Sequence, residues 1–378
     1  MKSVALITEY NPFHNGHLYH AKKAKSMTDA DVSIAIMSGQ FVMRGEPAIF
    51  NKFIRTNMAL QAVDLVVELP ALASLSAGPY FATSGVKIAD YLEANHLVFG
   101  SESGDIDAFK SLSTELSHIE QSTEFLKKSK EGKSYPRIID ELMPDTTLLS
   151  SPNNILGLSY VKAINNEESE MKPWTIKRVH SDHHNSTIAN NTFASGTAIR
   201  KSIFDGNELW QHVTPFPHTL INSAPPITSE DTFNFLKYAI LTHSVNELKQ
   251  IYTMSEGFEY RLKGYIKKAN SFGELVNMLK TKRYTHTHIQ RLLMNVLLNN
   301  QKNDYLEVIP AVRILGMNAT GQAYLKYLKQ SFPERNFITQ VNQKNNHFFK
   351  NEIHATEIYN LLSPQLEQTD FNTPVIRK

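Results

Sequence analysis

Apolar and polar positions repeat with two different periods over the first 100 residues. Four short apolar runs, each of a length typical of buried strands, predict β-strands at residues 4–8, 32–37, 65–69 and 97–99. The segments between them repeat apolar residues at helical spacing and predict helices at residues 18–27, 48–61 and 80–93. Strands that alternate with helices favour right-handed βαβ crossovers and a parallel sheet. The pattern therefore predicts an α/β fold that binds ligands at the carboxyl ends of its strands.

The pattern changes after this region. Residues 105–145 are predicted to form two polar helices, inserted on the outside of the sheet. Residues 214–231 hold four prolines and little periodicity, which is typical of a linker. Beyond the linker helical spacing dominates, with a short strand expected at residues 308–315. We therefore expect two domains, one over residues 1–213 and a mainly α-helical one over residues 232–378.

Composition narrows the possible functions. The 378 residues are enough for two cores, and 41% hydrophobic with 20% charged residues is ordinary for a soluble globular protein. No run approaches the ~20 apolar residues that span a bilayer. Glu9 comes too early for a signal peptide, so a cytoplasmic location is expected. The chain has no cysteine, which excludes disulfides, thiolate catalysis and Cys-ligated zinc.

The first predicted strand runs directly into two histidines that flank a glycine. His14, Asn15, Gly16 and His17 stand between this strand and the next predicted helix. A helix N-terminus offers free N–H groups and a partial positive charge to phosphate, and Gly16 lets a nucleotide lie against the backbone. His14 and His17 can donate hydrogen bonds as charge builds during a displacement at phosphorus. Their placement disfavours the alternative of two surface histidines beside a turn glycine.

A second candidate phosphate-binding turn, rich in hydroxyl groups, occurs at residues 194–200. Ser195 and Thr197 precede Arg200 at a predicted helix start. Hydroxyl and backbone N–H groups in such a turn can bind the β- and γ-phosphates, while Arg200 neutralises departing pyrophosphate. The alternative is a plain N-capped helix with a solvent-facing arginine. The histidine motif upstream, in the proper order, favours the nucleotide site.

The loop after the second predicted strand offers further charged groups. Arg44 and Glu46 are placed to line the nucleotide site. Lys52 and Arg55, three residues apart, share one face of the following predicted helix. That face could contact acetate or RNA, or it could simply be solvated. The sequence leaves these possibilities open.

Basic and aromatic residues are concentrated near residue 285. Lys282, Arg283, Tyr284 and Arg291 precede or begin a predicted helix, where they could bind RNA phosphates and stack on an unpaired base. The alternative is a basic helix cap. Residues 180–184 contain three histidines but no accompanying ligand pattern, so we expect no metal site there.

These motifs resemble a known family. Residues 14–17 are similar to the HxGH motif of the HIGH superfamily, which includes nucleotidyltransferases and class I aminoacyl-tRNA synthetases. Residues 9–17 closely resemble the tRNA(Met) cytidine acetate ligases, bacterial enzymes that acetylate the wobble cytidine of elongator tRNA(Met). Further matching strings lie at residues 37–39, 44–48, 63–70, 99–102, 152–157, 194–200 and 282–291. Met43 stands where the family pattern leads us to expect glutamine, and His288 where it leads us to expect a basic residue.

The resemblance implies a Rossmann-like HIGH-superfamily nucleotidyltransferase domain with a parallel sheet, followed by a mainly helical tRNA-binding domain. It implies His14, His17 and Arg200 as catalytic residues. With Ser195 and Thr197 added from the second motif, the expected ATP contacts are Ile7, Thr8, Glu9, Tyr10, Asn11, Pro12, Phe13, His14, Asn15, Gly16, His17, Leu18, Tyr19, His20, Gly100, Asn153, Arg178, Ser195 and Thr197.

The implied reaction activates acetate with ATP as acetyl-adenylate and transfers acetyl to the tRNA, giving N4-acetylcytidine, AMP and pyrophosphate. Mg²⁺ is expected to accompany ATP, without a dedicated set of protein ligands, and neither a membrane nor an obligate protein partner is expected. Two alternatives stay open at this stage. One is a small-molecule adenylyltransferase of the NAD or coenzyme A type, and the other is a non-catalytic tRNA-binding relative of the synthetases.

Overall fold

The computed structural model describes residues 1–133, 135–143, 145–178, 193–221, 224–305, 307–363 and 367–378. Its strands, in chain order, are β1 Ser3–Thr8, β2 Val32–Ser38, β3 Phe41–Val42, β4 Glu46–Pro47, β5 Leu65–Leu69, β6 His96–Ser101, β7 Lys172–Lys177, β8 Val312–Met317, β9 Phe337–Ile338 and β10 Ile376–Arg377. Its helices are α1 Asn15–Met27, α2 Lys52–Ala59, α3 Ala71–Ser74, α4 Gly78–Tyr91, α5 Ile106–Gln121, α6 Thr123–Lys130, α7 Tyr135–Leu142, α8 Pro152–Asn166, α9 Gly196–Phe204, α10 Phe233–Thr242, α11 Val245–Gln250, α12 Phe258–Tyr265, α13 Phe272–Leu279, α14 His286–Leu297, α15 Ala319–Ser331 and α16 Lys350–Leu362.

A mostly parallel sheet forms the centre of the molecule. Within the described residues it has eight strands in the order β10-β8-β5-β2-β1-β6-β7, and β9 also pairs with β8. Every pairing is parallel except that of β5 with β8. All seven residues of β2 are buried, as expected for a central strand with both faces covered. Helices α4, α5, α8 and α15 cover one face, and α1, α2 and α9 the other.

The predicted elements of the first 100 residues are largely confirmed. The four predicted strands correspond to β1, β2, β5 and β6, and two predicted helices correspond to α1 and α4. The helix predicted over residues 48–61 is shorter and covers only Lys52–Ala59. Two helices were predicted in the 105–145 insertion, but its described residues form three. Helix α5 buries Phe109 and Leu116 in the core rather than lying wholly outside.

The expected mainly helical region has a mixed structure. Helices α10 to α14 form a layer with its own core, which also takes in Phe41 and Leu75 from the first part of the chain. The chain then returns to the sheet, where β8 extends the edge beyond β5 and β10 extends it further. The expected short strand is confirmed as β8, but its pairing with β5 is a long-range contact that no local pattern encodes. The division into two domains at the linker stays a prediction.

Lys52 and Arg55 do not lie on a solvated face, and that alternative is wrong. Both side chains are fully buried. Lys52 Nζ lies 2.7 Å from Glu68 Oε1 on β5 and 2.8 Å from Asp370 Oδ1, shortly before β10. Burial opposes the charge, but Asp370 and Glu68 outweigh it and raise the pKa of Lys52. The ammonium group therefore ties helix α2 to the sheet and to the last described segment.

Replacing this ammonium group should destabilise the fold strongly. Lys52→Met leaves two carboxylates facing each other without their cation, which typically costs about 3–5 kcal/mol at neutral pH. The loss should shrink as the pH falls towards 5, because burial raises the pKa of Glu68 to about 7 and its protonation removes the repulsion. Urea unfolding curves measure both effects. Lys110→Met, at a half-exposed pair with Asp107, is the control, and equal losses for the two variants would contradict the prediction.

Candidate active site

The loop after β1 is shaped by His14. This residue caps helix α1, and its Nδ1 accepts a hydrogen bond from the Gly16 N–H at 3.0 Å. A Cβ atom at Gly16 would lie 2.8 Å from His14 Cε1, so glycine is required for the ring to fold back over the helix start. Because Nδ1 is an acceptor here, the proton of the neutral ring resides on Nε2. His14 thus offers one N–H donor beyond the helix N-terminus.

Aromatic packing fixes the second histidine. The rings of His14 and His17 stack with centroids 3.7 Å apart, and Tyr10 contacts His17 at 4.8 Å. Tyr10 itself packs edge-on against Phe13. Among the described residues, His17 Nδ1 and His20 Nε2 are buried and have no hydrogen-bond partner. A buried polar atom without a partner is costly, so these nitrogens are suited to a ligand that supplies one.

The imidazoles at this site are neutral at physiological pH. Burial, reinforced by the positive charges of Arg178 and Arg200, lowers the pKa of His14 to about 3. Burial and Arg178 likewise lower the pKa of His20 to about 4. The pKa of His17 falls well below its usual value for the same reason, with its two neighbouring histidines contributing. The positive charge beside these imidazoles therefore comes from arginines and not from the histidines themselves.

The second motif meets the first through Arg200. Ser195 caps helix α9 by accepting a hydrogen bond from the Ala198 N–H at 3.1 Å. Arg200 donates to the Asn11 carbonyl at 2.8 Å and to Thr197 Oγ1 at 3.4 Å. Its side chain is only 17% exposed, so it is not the solvent-facing arginine of a plain capped helix. The structure brings Ser195, Thr197 and Arg200 to the loop after β1.

The hairpin of β3 and β4 closes one side of the site. The Met43 N–H donates to Glu9 Oε1 at 2.6 Å, and Glu46 lies 3.6 Å from Arg200. Arg44 donates weakly to Thr197 Oγ1 at 3.5 Å. Burial, aided by Glu46, raises the pKa of Glu9, while the Met43 hydrogen bond holds it down. Arg44 and Glu46 therefore border the site, as expected from their loop.

Gly100, Asn153 and Arg178 come together at the carboxyl ends of β6 and β7. The Arg178 N–H donates to the Ser101 carbonyl at 2.9 Å, and a Cβ at Gly100 would lie 3.7 Å from Arg178 Cγ. Asn153 Nδ2 donates to Glu102 Oε1 at 2.6 Å. Burial lowers the pKa of Arg178, and Glu102 opposes this.

The organising roles of two residues, Glu102 and Arg55, were not predicted from the sequence. Glu102 accepts from Asn153 and from the Asn154 N–H, and it lies in one of the strings shared with the family. Arg55 donates to the carbonyls of Glu9 at 2.6 Å and Ser38 at 3.0 Å, and also to that of Gly39. It thereby holds the ends of β1 and β2 together. The spacing of Arg55 from Lys52 predicted that the two residues share a helix face, but it did not indicate that this face is buried.

The four residues predicted to contact RNA differ in exposure. Lys282 and Arg283 are exposed. Tyr284 is partly buried, with its ring 5.0 Å from that of Phe258 and stacked at 5.2 Å on His288. Arg291 is partly buried and donates to the Met43 carbonyl at 3.2 Å. Its side chain therefore contacts the hairpin of β3 and β4, and its contact with RNA stays a prediction.

The described residues were also compared with the requirements of a metal site and of a membrane span. In the part of the chain that the structure describes, no group of three or more His, Asp or Glu side chains is arranged to hold a metal ion. The histidines of residues 180–184 lie outside the described residues. Over those same described ranges, no helix has the length and apolar character needed to cross a bilayer.

Comparison with known proteins agrees with this geometry. The family model described as HIGH Nucleotidyl Transferase matches residues 1–373. Proteins named tRNA(Met) cytidine acetate ligase are 62% identical in Staphylococcus saprophyticus and 55% identical in Staphylococcus aureus strain JH9, with full coverage of both chains in each case. This chain belongs to the tRNA(Met) cytidine acetate ligase family. Among solved structures, Thermotoga maritima TmcAL in its apo form matches over all of both chains with a TM-score of 0.89 and 27% identity.

A second Thermotoga maritima TmcAL structure, bound with alpha-thio ATP, matches with a TM-score of 0.87 and 26% identity over all of both chains. The family resemblance and the HIGH-type fold expected from the motifs are both confirmed. The two alternatives, a small-molecule adenylyltransferase and a non-catalytic tRNA-binding protein, are not favoured for a chain so similar to ligases of this family.

The protonation state of the ligase site can be measured directly. In the free protein we expect the imidazole NMR signals of His14 and His20, assigned with Asn variants, to stay those of neutral rings down to about pH 5. A bound triphosphate should raise both pKa values, because its negative charge favours the imidazolium form. Midpoints near 6.5 in the free protein would contradict the burial described here.

Proposed function

We propose that this chain activates acetate with ATP and transfers the acetyl group to the wobble cytidine of elongator tRNA(Met). The single observation that carries the proposal is the meeting of His14, His17 and Arg200 at the N-terminus of α1, in a chain that is 62% identical to a ligase of that name. The location is then the cytoplasm, where tRNA is found. Acetate and tRNA are the only partners that the proposal requires.

The triphosphate would lie between the two motifs. The partial positive charge at the N-terminus of α1 would attract it, His14 Nε2 and His17 would donate hydrogen bonds to it, and Arg200 would face the departing pyrophosphate. Gly100 and Arg178 lie beside the end of β6, where the nucleoside would pack. These groups are held by hydrogen bonds and ring stacking before any ligand arrives, so little reorganisation is needed.

Mg²⁺ is proposed to enter with ATP. The carboxylates that border the site are Glu9, which accepts from Met43, Glu46, which faces Arg200, and Glu102, which accepts from Asn153. Since all three are already engaged, the phosphate oxygens and water would supply most of the metal ligands, which Mg²⁺ commonly accepts. The ion would neutralise charge on the phosphates during displacement.

The reaction has two steps. An acetate oxygen attacks the α-phosphorus in line, a P–O bond forms, and the bond to pyrophosphate breaks to leave acetyl-adenylate. The cytidine N4 amine then attacks the acetyl carbonyl, AMP leaves, and the amine loses a proton to give N4-acetylcytidine. The wobble base must leave its stack to reach the site. No covalent bond to the protein is required, and the site is assigned chiefly to binding and orientation.

His17→Ala should lose acetyl-adenylate formation while the fold stays intact. Removing one donor to developing charge in such a site typically costs roughly 10²–10³ in rate. The measurement is acetate-dependent ATP–pyrophosphate exchange, with circular dichroism to check folding. His354→Ala, on the half-exposed face of α16, is the matched control. A folded His17→Ala protein that exchanges at the wild-type rate would remove His17 from the proposed chemistry.

The exposed basic pair should affect only the second step. Lys282→Glu with Arg283→Glu is expected to abolish tRNA acetylation while exchange without tRNA is unchanged, because both residues lie apart from the nucleotide motifs. Each lost phosphate contact should also flatten the salt dependence of tRNA binding by somewhat less than one unit. Arg291 is excluded from this test because of its contact with Met43. Normal acetylation by the double variant would mean that RNA binds elsewhere.

A further inference from the structure

The hairpin of β3 and β4 lies directly against the helical layer. Its turn residue Gly45 has a φ of 77°, in the left-handed region that favours glycine. A Cβ atom there would lie 2.2 Å from the backbone nitrogen of Arg291 and 2.4 Å from the carbonyl carbon of Gln290. The turn is therefore in backbone contact with helix α14, and any residue larger than glycine at position 45 would clash with the helix backbone.

Met43 lies at the centre of this contact. Its N–H donates to Glu9 Oε1 at 2.6 Å, and its carbonyl accepts from Arg291 Nη1 at 3.2 Å. Glu9 directly follows β1 in the loop that leads to the histidine motif. A single backbone residue is thus held from the nucleotide side by a carboxylate and from the helical side by a guanidinium group.

The first residue of β4, which directly follows the turn, reaches the second motif. Glu46 lies 3.6 Å from Arg200, and Arg200 donates to the Asn11 carbonyl at 2.8 Å. A shift of the hairpin away from α14 would move Glu46 and alter the orientation of Arg200. It would also release Glu9 from Met43. Both changes fall on groups that border the proposed triphosphate site.

We propose that Arg291 is a positioning residue for the adenylation half-reaction, acting through Met43 and the hairpin on Glu9 and Arg200. The expectation that Arg291 contacts tRNA phosphate stays a separate prediction. The inference rests on the proposed acetate activation. It assigns to the helical layer a part in the first chemical step, although α14 carries none of the nucleotide motifs.

Arg291→Gln tests the assignment in the full chain without tRNA. The kcat of acetate-dependent ATP–pyrophosphate exchange should fall by about tenfold, as expected for loss of one charge-assisted hydrogen bond that orients the site. The KM for ATP should change less than about twofold, because Arg291 does not touch the nucleotide. Arg291→Lys keeps one donor and should recover part of the lost kcat. Arg137→Gln, at a side chain that is 69% exposed on α7, is the matched control and should behave as wild type.

Amide hydrogen exchange provides a readout that does not depend on activity. The Met43 amide should exchange faster in Arg291→Gln, while the amides of β1 and β2 keep their wild-type protection. If the glutamine variant does not fold, Arg291→Met, which keeps the aliphatic stem, takes its place. A wild-type kcat in either folded variant overturns the proposal, including the case in which only tRNA acetylation is lost. If the wild-type protein shows no acetate-dependent ATP–pyrophosphate exchange, the proposed function fails. The amide hydrogen-exchange comparison then still tests the contact between Arg291 and Met43.

Discussion

A single buried ammonium group constrains much of this structure. Lys52 is fully enclosed and bonds to Glu68 on β5 and to Asp370 near β10, and Arg313 on β8 lies 4.0 Å from the same aspartate. A buried cation is tolerated only when its partners are in place, so the last described segment must close over α2 and the edge of the sheet. Helix α2 also carries Arg55, whose guanidinium holds the carbonyls at the ends of β1 and β2. The loop after β1, which carries the histidine motif, is therefore stabilised by residues that lie outside that motif.

The site itself combines fixed positive charge with neutral donors. Burial, reinforced by Arg178 and Arg200, keeps His14 uncharged, and one consequence is that His14 can cap α1 through its unprotonated Nδ1. A protonated ring could not accept that hydrogen bond. The same electrostatic arrangement that favours a polyanion thus also maintains the helix start that would bind it. Binding and local folding are served by one set of contacts.

Local pattern was enough for the first strands and helices, because continuous apolar runs and helical spacing are read from neighbouring residues. It was also enough to single out His14, His17 and Arg200, which the structure brings together, since their motifs adjoin element boundaries. Gly100, Asn153 and Arg178 came only from family resemblance, because nothing local distinguishes them. The burial of Lys52 and Arg55 could not be predicted, since spacing shows that residues share a face but not what covers it. The contact between Gly45 and Arg291 joins segments that are distant in the sequence, and no local pattern in either segment predicts it.

The antiparallel pairing of β5 with β8 has a consequence for how the chain acquires its structure. All five residues of β5 are buried in the finished sheet, yet one edge of that strand has no partner until the whole helical layer has been synthesised. Pairing across such a sequence separation is slow, because a long loop must first be closed. An apolar strand with a free edge is meanwhile open to pairing with other chains. The growing polypeptide therefore passes through a period of exposure to aggregation that ends only when Val312–Met317 is available.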